Sequence, residues 1–214
     1  MSYFPMMIQL EHAPVLLVGG GRTARRKAAI LLEFGAAVEV VAPAMDPEIR
    51  SLDLVLHQRP FAPDDLDRQP WRLVVAATDD RAVNRMISEG CRKRGIPVNV
   101  VDDPELCTFI FPAIVKQQEV VCAVSSGGRS PLVAQWVKRR LQQVMPENLG
   151  TLNEAMGQFR KVLQREEPEE GKRRDRLKKS WRSYWERDCE DQVPFPIFFV
   201  KIPEKYLHYF QTLI

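Results

Sequence analysis

The sequence predicts an α/β fold: an N-terminal parallel sheet, then a small strand-helix region, then a C-terminal helical region. Three observations carry this. Short apolar runs alternate with helical patterns through roughly the first hundred residues. The runs Val15–Val18, Val38–Ala42 and Leu73–Ala77 are almost continuously apolar, as strands covered on both faces are. The first run stops at Gly19-Gly20-Gly21, and a helix starts at once. Together they make the first part Rossmann-like, with its ligand crevice at the carboxyl ends of the strands.

Each element has its own signals. Thr23–Phe34 reads as a helix with Ala24, Ala28 and Leu31 on one face and Gly35 at the C-terminal stop. Asp46–Ser51 is a short helix-like stretch, and Leu54–His57 a third strand. Asp79–Arg94 reads as a helix capped by Thr78 or Asp79, and Gly95 and Pro97 punctuate entry to a fifth strand, Val98–Val101. Thr108–Val115 and Glu119–Val124 are expected as two strands joined by Lys116–Gln118. Ser130 then caps a helix that has Pro131 at its first position. That helix has Val133, Trp136, Val137, Leu141 and Val144 at core-like spacing. A helix over Leu149–Gln164, a charged break over Arg165–Gly171 and a basic helix over Lys172–Arg187 follow, with Trp181 and Trp185 expected in the core. The expected divisions are 1–112, 113–148 and 149–214.

Bulk properties narrow the function classes. The chain has 214 residues, 45% hydrophobic and 28% charged, so it can bury a real core. A net charge of +3 is too small to argue for nucleic acid. No apolar run has the length of a membrane span, and Met1–Leu10 lacks the pattern of a signal peptide. Cys91, Cys107, Cys122 and Cys189 have no metal-site spacing, and His12, His57 and His208 lie far apart, so no metal site is expected. Buried free thiols and a cytoplasmic location are the expectation.

The candidate site residues follow the strand ends. Gly19-x-Gly21-x-x-Ala24 fits a dinucleotide fingerprint, in which glycines let the backbone approach a pyrophosphate at a helix N-terminus. The acid that usually ends the second strand and holds a ribose is missing: the chain reads Val41-Ala-Pro-Ala44. Thr78 fits a cofactor contact and a helix cap equally. In Asn99-Val-Val-Asp-Asp-Pro104 a carboxylate could serve as acid or base, or the segment could simply turn. Ser125–Ser130 offers hydroxyls, mobile backbone and Arg129, an anion site or a tight helix entry. The basic run Lys172–Arg182 suits an acidic ligand or a solvated face.

These motifs, in this order, resemble the precorrin-2 dehydrogenase family, which includes the N-terminal part of siroheme synthase. The likeness rests on Phe4-Pro5, Gln9-Leu10, Val18-Gly-Gly-Gly-x-x-Ala-x-x-Lys27, Ala76-Ala-Thr-Asp-Asp80, Asn99-Val-Val-Asp102, Phe109-Ile-x-Pro112 and Ala123-Val-Ser-Ser-Gly-Gly-x-Ser-Pro131, and covers about Phe4 to Leu149. It implies NAD-dependent oxidation of precorrin-2 to sirohydrochlorin, on the way to siroheme or cobalamin, with Asp102 tied to catalysis. It implies cofactor contacts at Arg22, Thr23, Pro43 and Ala44, beside Gly19, Gly21 and Thr78. The tetrapyrrole would meet Ser126, with Asn99, Ser125 and Arg129 near it. A homodimer built through the segment from about Ala113 is also implied. Some family members insert iron as well. A non-catalytic NAD or tetrapyrrole binder is the alternative outside enzymes.

Overall fold

The computed structural model describes residues 3–185. It divides into two compact units: Met1–Phe111 with Gly127–Arg129, and Pro112–Ser126 with the chain from Ser130 on.

Five apolar segments of the first unit pair as a parallel sheet in the order β3-β2-β1-β4-β5. They are β1 (Pro14–Val18), β2 (Ala37–Val41), β3 (Val55–His57), β4 (Leu73–Ala76) and β5 (Val98–Val100). Strand side chains alternate between faces, and both faces find cover. Val15, Leu17, Val38, Val40, Leu73 and Val75 share one cluster with Ala24, Ala28 and Leu31 of α1 (Arg22–Glu33). Leu16, Val18, Val41, Val74, Ala76, Val98 and Val100 share the other with Ile87 and Cys91 of α2 (Arg81–Arg94). That is why β1 and β4 read as unbroken apolar runs. Gly95 ends α2 with φ 68, the left-handed cap its position suggested. The order reverses beside β1, so β1 and β4 flank the switch point where such sheets bind ligands.

In the second unit β6 (Ala113–Gln117) and β7 (Val120–Val124) form an antiparallel hairpin in register Val115↔Cys122. Three helices follow: α3 (Pro131–Val144), α4 (Leu149–Glu166) and α5 (Glu170–Trp185). Ser130 caps α3 by accepting the Val133 N–H at 3.3 Å. Phe159 and Leu163 of α4 pack with Leu177 of α5.

Four expectations need correction. β6 starts at Ala113, not Thr108, because Thr108–Phe111 is held to the first unit: the Thr108 and Phe109 N–H groups both reach the Val98 carbonyl. The hairpin turns at Gln118-Glu119, with Gln118 at φ 50, rather than over Lys116–Gln118. The apolar stripe of α3 is only partly covered: Val133 and Trp136 are each 55% exposed and Val144 71%, while Val137 and Leu141 are half-buried. Trp181 is likewise open to solvent at 39%. The stretch from residue 186 on, with Arg187, Cys189, His208 and the aromatic tail, lies outside the described residues.

Candidate functional site

The glycine turn is shaped by what presses on it. Gly19 has φ 120, and a Cβ there would run into the Ala77 carbonyl. A Cβ on Gly20 would strike the Ala44 carbonyl, because the segment after β2 folds back and the Asp46 N–H bonds the Gly20 carbonyl at 2.7 Å. Gly21 differs: nothing lies within 4 Å of its Cβ position. Gly19 and Gly20 thus let three chain segments meet, and Gly21 opens onto free space. Spacing alone pointed to Gly19 and Gly21; Gly20 was missed because its neighbour comes from another strand.

The helix behind this turn is left bare. No side chain caps α1 at Gly21, and no acid sits in its first turn. In the same unit the Asp80 carboxylate caps α2, accepting the Ala82 and Val83 N–H groups at 2.8 and 3.2 Å. An uncapped helix start with open space before it suits an anion. Arg22 and Thr23 stand in that first turn, and Pro43 and Ala44 are exposed on the segment that folds over Gly20. These residues fit the pyrophosphate end of a dinucleotide. No acid takes up the usual ribose place; Asp46 instead caps the short 3-10 turn Pro47–Ser51 through the Glu48 N–H, and Arg25 pairs with Glu48.

Thr78 is committed to its own loop. Its hydroxyl donates to Asn84 Oδ1 at 2.8 Å, and Asn84 returns a bond to the Thr78 carbonyl. The helix cap falls on Asp80, two residues past Thr78, so neither Thr78 nor Asp79 caps α2.

β5 ends at Val100, and the chain turns sharply at Asp102, which has φ 59. Left-handed backbone is uncommon for a non-glycine residue, though Asp tolerates it. The turn leaves Asp102 exposed, while Asp103 faces Arg81 at 3.8 Å. Beneath it Cys107 binds the loop together. Its sulfur accepts the Val100 N–H at 3.1 Å, and its S–H is directed at the Val100 and Asp103 carbonyls. Burial pushes the Cys107 thiol up, so it stays protonated at neutral pH. Asn99 is buried and donates to the Phe109 carbonyl at 3.1 Å, pinning the segment that follows. Phe109 packs on Phe111 with ring centroids 5.5 Å apart, and Lys27 Nζ sits 3.8 Å over the Phe111 ring.

Ser125 and Ser126 belong to the second unit, and Arg129 is grouped with the first. Ser126 Oγ accepts the Ser130 N–H at 3.0 Å, across Gly127 and Gly128 at φ 64 and 79. Arg129 is exposed. Gly19, Gly21, Arg22, Thr23, Pro43, Ala44, Thr78, Asn99 and Asp102 all belong to the first unit, Arg22 and Thr23 in the first turn of α1, Asn99 within β5 and the rest in the turns after the strands. Lys27, Asn84, Cys107 and Phe111 were missed as parts of the site, because each matters through a long-range contact that no local pattern encodes.

A parallel sheet with this strand order, and a bare helix start behind a glycine turn, is the architecture of the dinucleotide-binding α/β proteins. A family model described as "Putative NAD(P)-binding" matches residues 6–113, and the chain belongs to that family. It is 40% identical over 194 residues to the siroheme synthase of Methylococcus capsulatus, covering 89% of this chain and 39% of that protein. It is 44% identical over 165 residues to the siroheme synthase of Nitrosomonas eutropha, covering 75% and 34%. The chain therefore spans about two fifths or less of the relatives it matches. A solved structure, "SirC, precorrin-2 dehydrogenase", shares the fold with a TM-score of 0.69 at 23% identity, over 99% of this chain and 98% of that one. Among the described residues no helix is long and apolar enough to cross a membrane, and no three His, Cys, Asp or Glu side chains gather as a metal site.

Proposed function

We propose that the chain is an NAD-dependent dehydrogenase that oxidises precorrin-2 to sirohydrochlorin. One observation carries the reading: the bare start of α1 and the exposed carboxylate of Asp102 stand at the same end of one parallel sheet. The first suits a dinucleotide and the second a reacting group beside it. The names of the siroheme synthases and of the precorrin-2 dehydrogenase above support the substrate.

The roles follow from position. Gly19 and Gly20 bring β1, β2 and β4 close, and Gly21 with the N–H groups of Arg22 and Thr23 would hold the pyrophosphate. Pro43 and Ala44 line the ribose side, and Thr78 shapes the wall opposite. A nicotinamide held there would supply the hydride acceptor. Asp102 takes the proton that leaves the macrocycle, or holds its pyrrole N–H groups, so that precorrin-2 and NAD+ become sirohydrochlorin, NADH and a proton. Asn99 serves the substrate by fixing the Phe109 segment. Arg129, grouped with the first unit, would supply a cation to a polycarboxylate substrate. A homodimer is supported by the exposed apolar side chains of α3.

Asp102→Ala tests the assignment. Turnover of precorrin-2 with NAD should vanish while NAD affinity stays as in the parent. Retained turnover removes Asp102 from the chemistry.

A further inference from the structure

One charged group at the crevice end of the first unit has no place in the account above. Lys27 lies on α1, five residues past Arg22 and so about 7.5 Å further along the helix than the pyrophosphate position. It is half-buried, with its ammonium over the face of Phe111. That ring is held in place: Asn99 fixes the Phe109 carbonyl, and Phe109 packs on Phe111. Among the described residues Lys27 makes no hydrogen bond and no ion pair; its one direct partner is the ring.

A cation drawn out of water needs an anion or a strong dipole to offset the loss of hydration. Burial lowers the Lys27 pKa, and the charge of Asp102 acts the other way without closing an ion pair. Cys107 cannot serve as the anion, since its thiol is protonated and already engaged with Val100 and Asp103. A ring face recovers only part of the cost. What remains is an ammonium presented beside a flat aromatic wall, near Asp102, with a direct anionic partner still to come.

We propose that Lys27 anchors the substrate by binding one of its peripheral carboxylates on the Asp102 side of the sheet. This rests on the dehydrogenase reading above. The cofactor's phosphates are the other anion at hand, but the bare N–H groups at the start of α1 already face them. A tetrapyrrole rimmed with carboxylates can lay its edge along Phe111 and give one carboxylate to Lys27.

The test uses Lys27→Met, which keeps length and removes charge, and Lys27→Arg, which keeps charge. Sirohydrochlorin is titrated onto each by fluorescence, with NAD affinity measured in parallel. Losing one charge-assisted contact should weaken sirohydrochlorin binding by about tenfold in Lys27→Met. Added KCl should narrow that gap, and Lys27→Arg should recover most of the affinity. NAD affinity should stay within about twofold, and in turnover KM should rise with kcat kept. The proposal is overturned if sirohydrochlorin binds Lys27→Met as well as the parent, if NAD affinity falls alongside, or if kcat drops at constant KM. Lys27→Met should also melt no lower than the parent, since it removes a half-buried charge that no anion pairs. A parent that binds sirohydrochlorin yet never reduces NAD sinks the dehydrogenase reading and leaves the binding comparison to judge Lys27. A parent that does neither overturns both.

Discussion

Two glycines in one turn carry opposite expectations. Gly19 holds φ 120 with the Ala77 carbonyl against it, so Gly19→Ala is both strained and crowded. It should lower stability by about 1–3 kcal/mol, read as a fall in melting temperature. Gly21 has an ordinary φ of −83 and open space at its Cβ position. Gly21→Ala should fold normally and weaken NAD binding, because its methyl group stands where the pyrophosphate goes. Equal melting temperatures for the two variants would contradict this division. The Gly19-x-Gly21 spacing was legible in the sequence, but not which glycine serves the fold and which the ligand. That depends on Ala77 and Ala44, which come from other strands. Lys27 was legible as a motif position but not as a site residue, because its meaning comes from Phe111, 84 positions away.

At the scale of elements the sheet was almost fully legible, and the caps were not. The apolar runs of β1 and β4 had to be strands because each is covered on both faces, and the alternation of Val15 and Leu17 against Leu16 and Val18 into two clusters confirms it. The α2 cap slipped from Thr78 or Asp79 to Asp80 because three potential capping residues stand in a row, and Thr78 is drawn to buried Asn84. Asp80→Ala should therefore cost about 1 kcal/mol, read by denaturant unfolding, and Asp79→Ala much less. β6 started late because Thr108 and Phe109 were captured by Val98. The turn after β3 gives a pH prediction. Arg59 hydrogen-bonds Asp65 and holds its carboxyl below the ordinary range. The unfolded chain takes up a proton near pH ~3.9, where the folded one still refuses it. This stabilisation is complete above that pH and is lost as pH falls through the lowered folded value. Asp65→Asn should flatten the acid side of the stability profile in that window. An unchanged profile would show that Asp65 titrates alike in both states.

For the whole molecule, the exposed face of α3 was legible as apolar but misread as interior. Helical spacing tells which residues share a face, not what covers it. Leu132 at 80% exposed, with Val133, Trp136 and Val144, is a surface that a second copy would bury. Trp136→Glu should shift the protein to a monomer in sedimentation analysis while its melting transition persists. A parent that sediments as a monomer at micromolar concentration would remove the dimer.

The central claim joins the bare start of α1 and Asp102, at one end of the first unit's sheet, in one reaction, and its most direct measurement is stoichiometric. Purified protein is mixed with precorrin-2 and NAD, and NADH and sirohydrochlorin are followed together. The account predicts one NADH formed per sirohydrochlorin, and neither product above background with Asp102→Asn, whose side chain tolerates the same left-handed turn. Sirohydrochlorin without matching NADH, or equal rates in parent and variant, would contradict it.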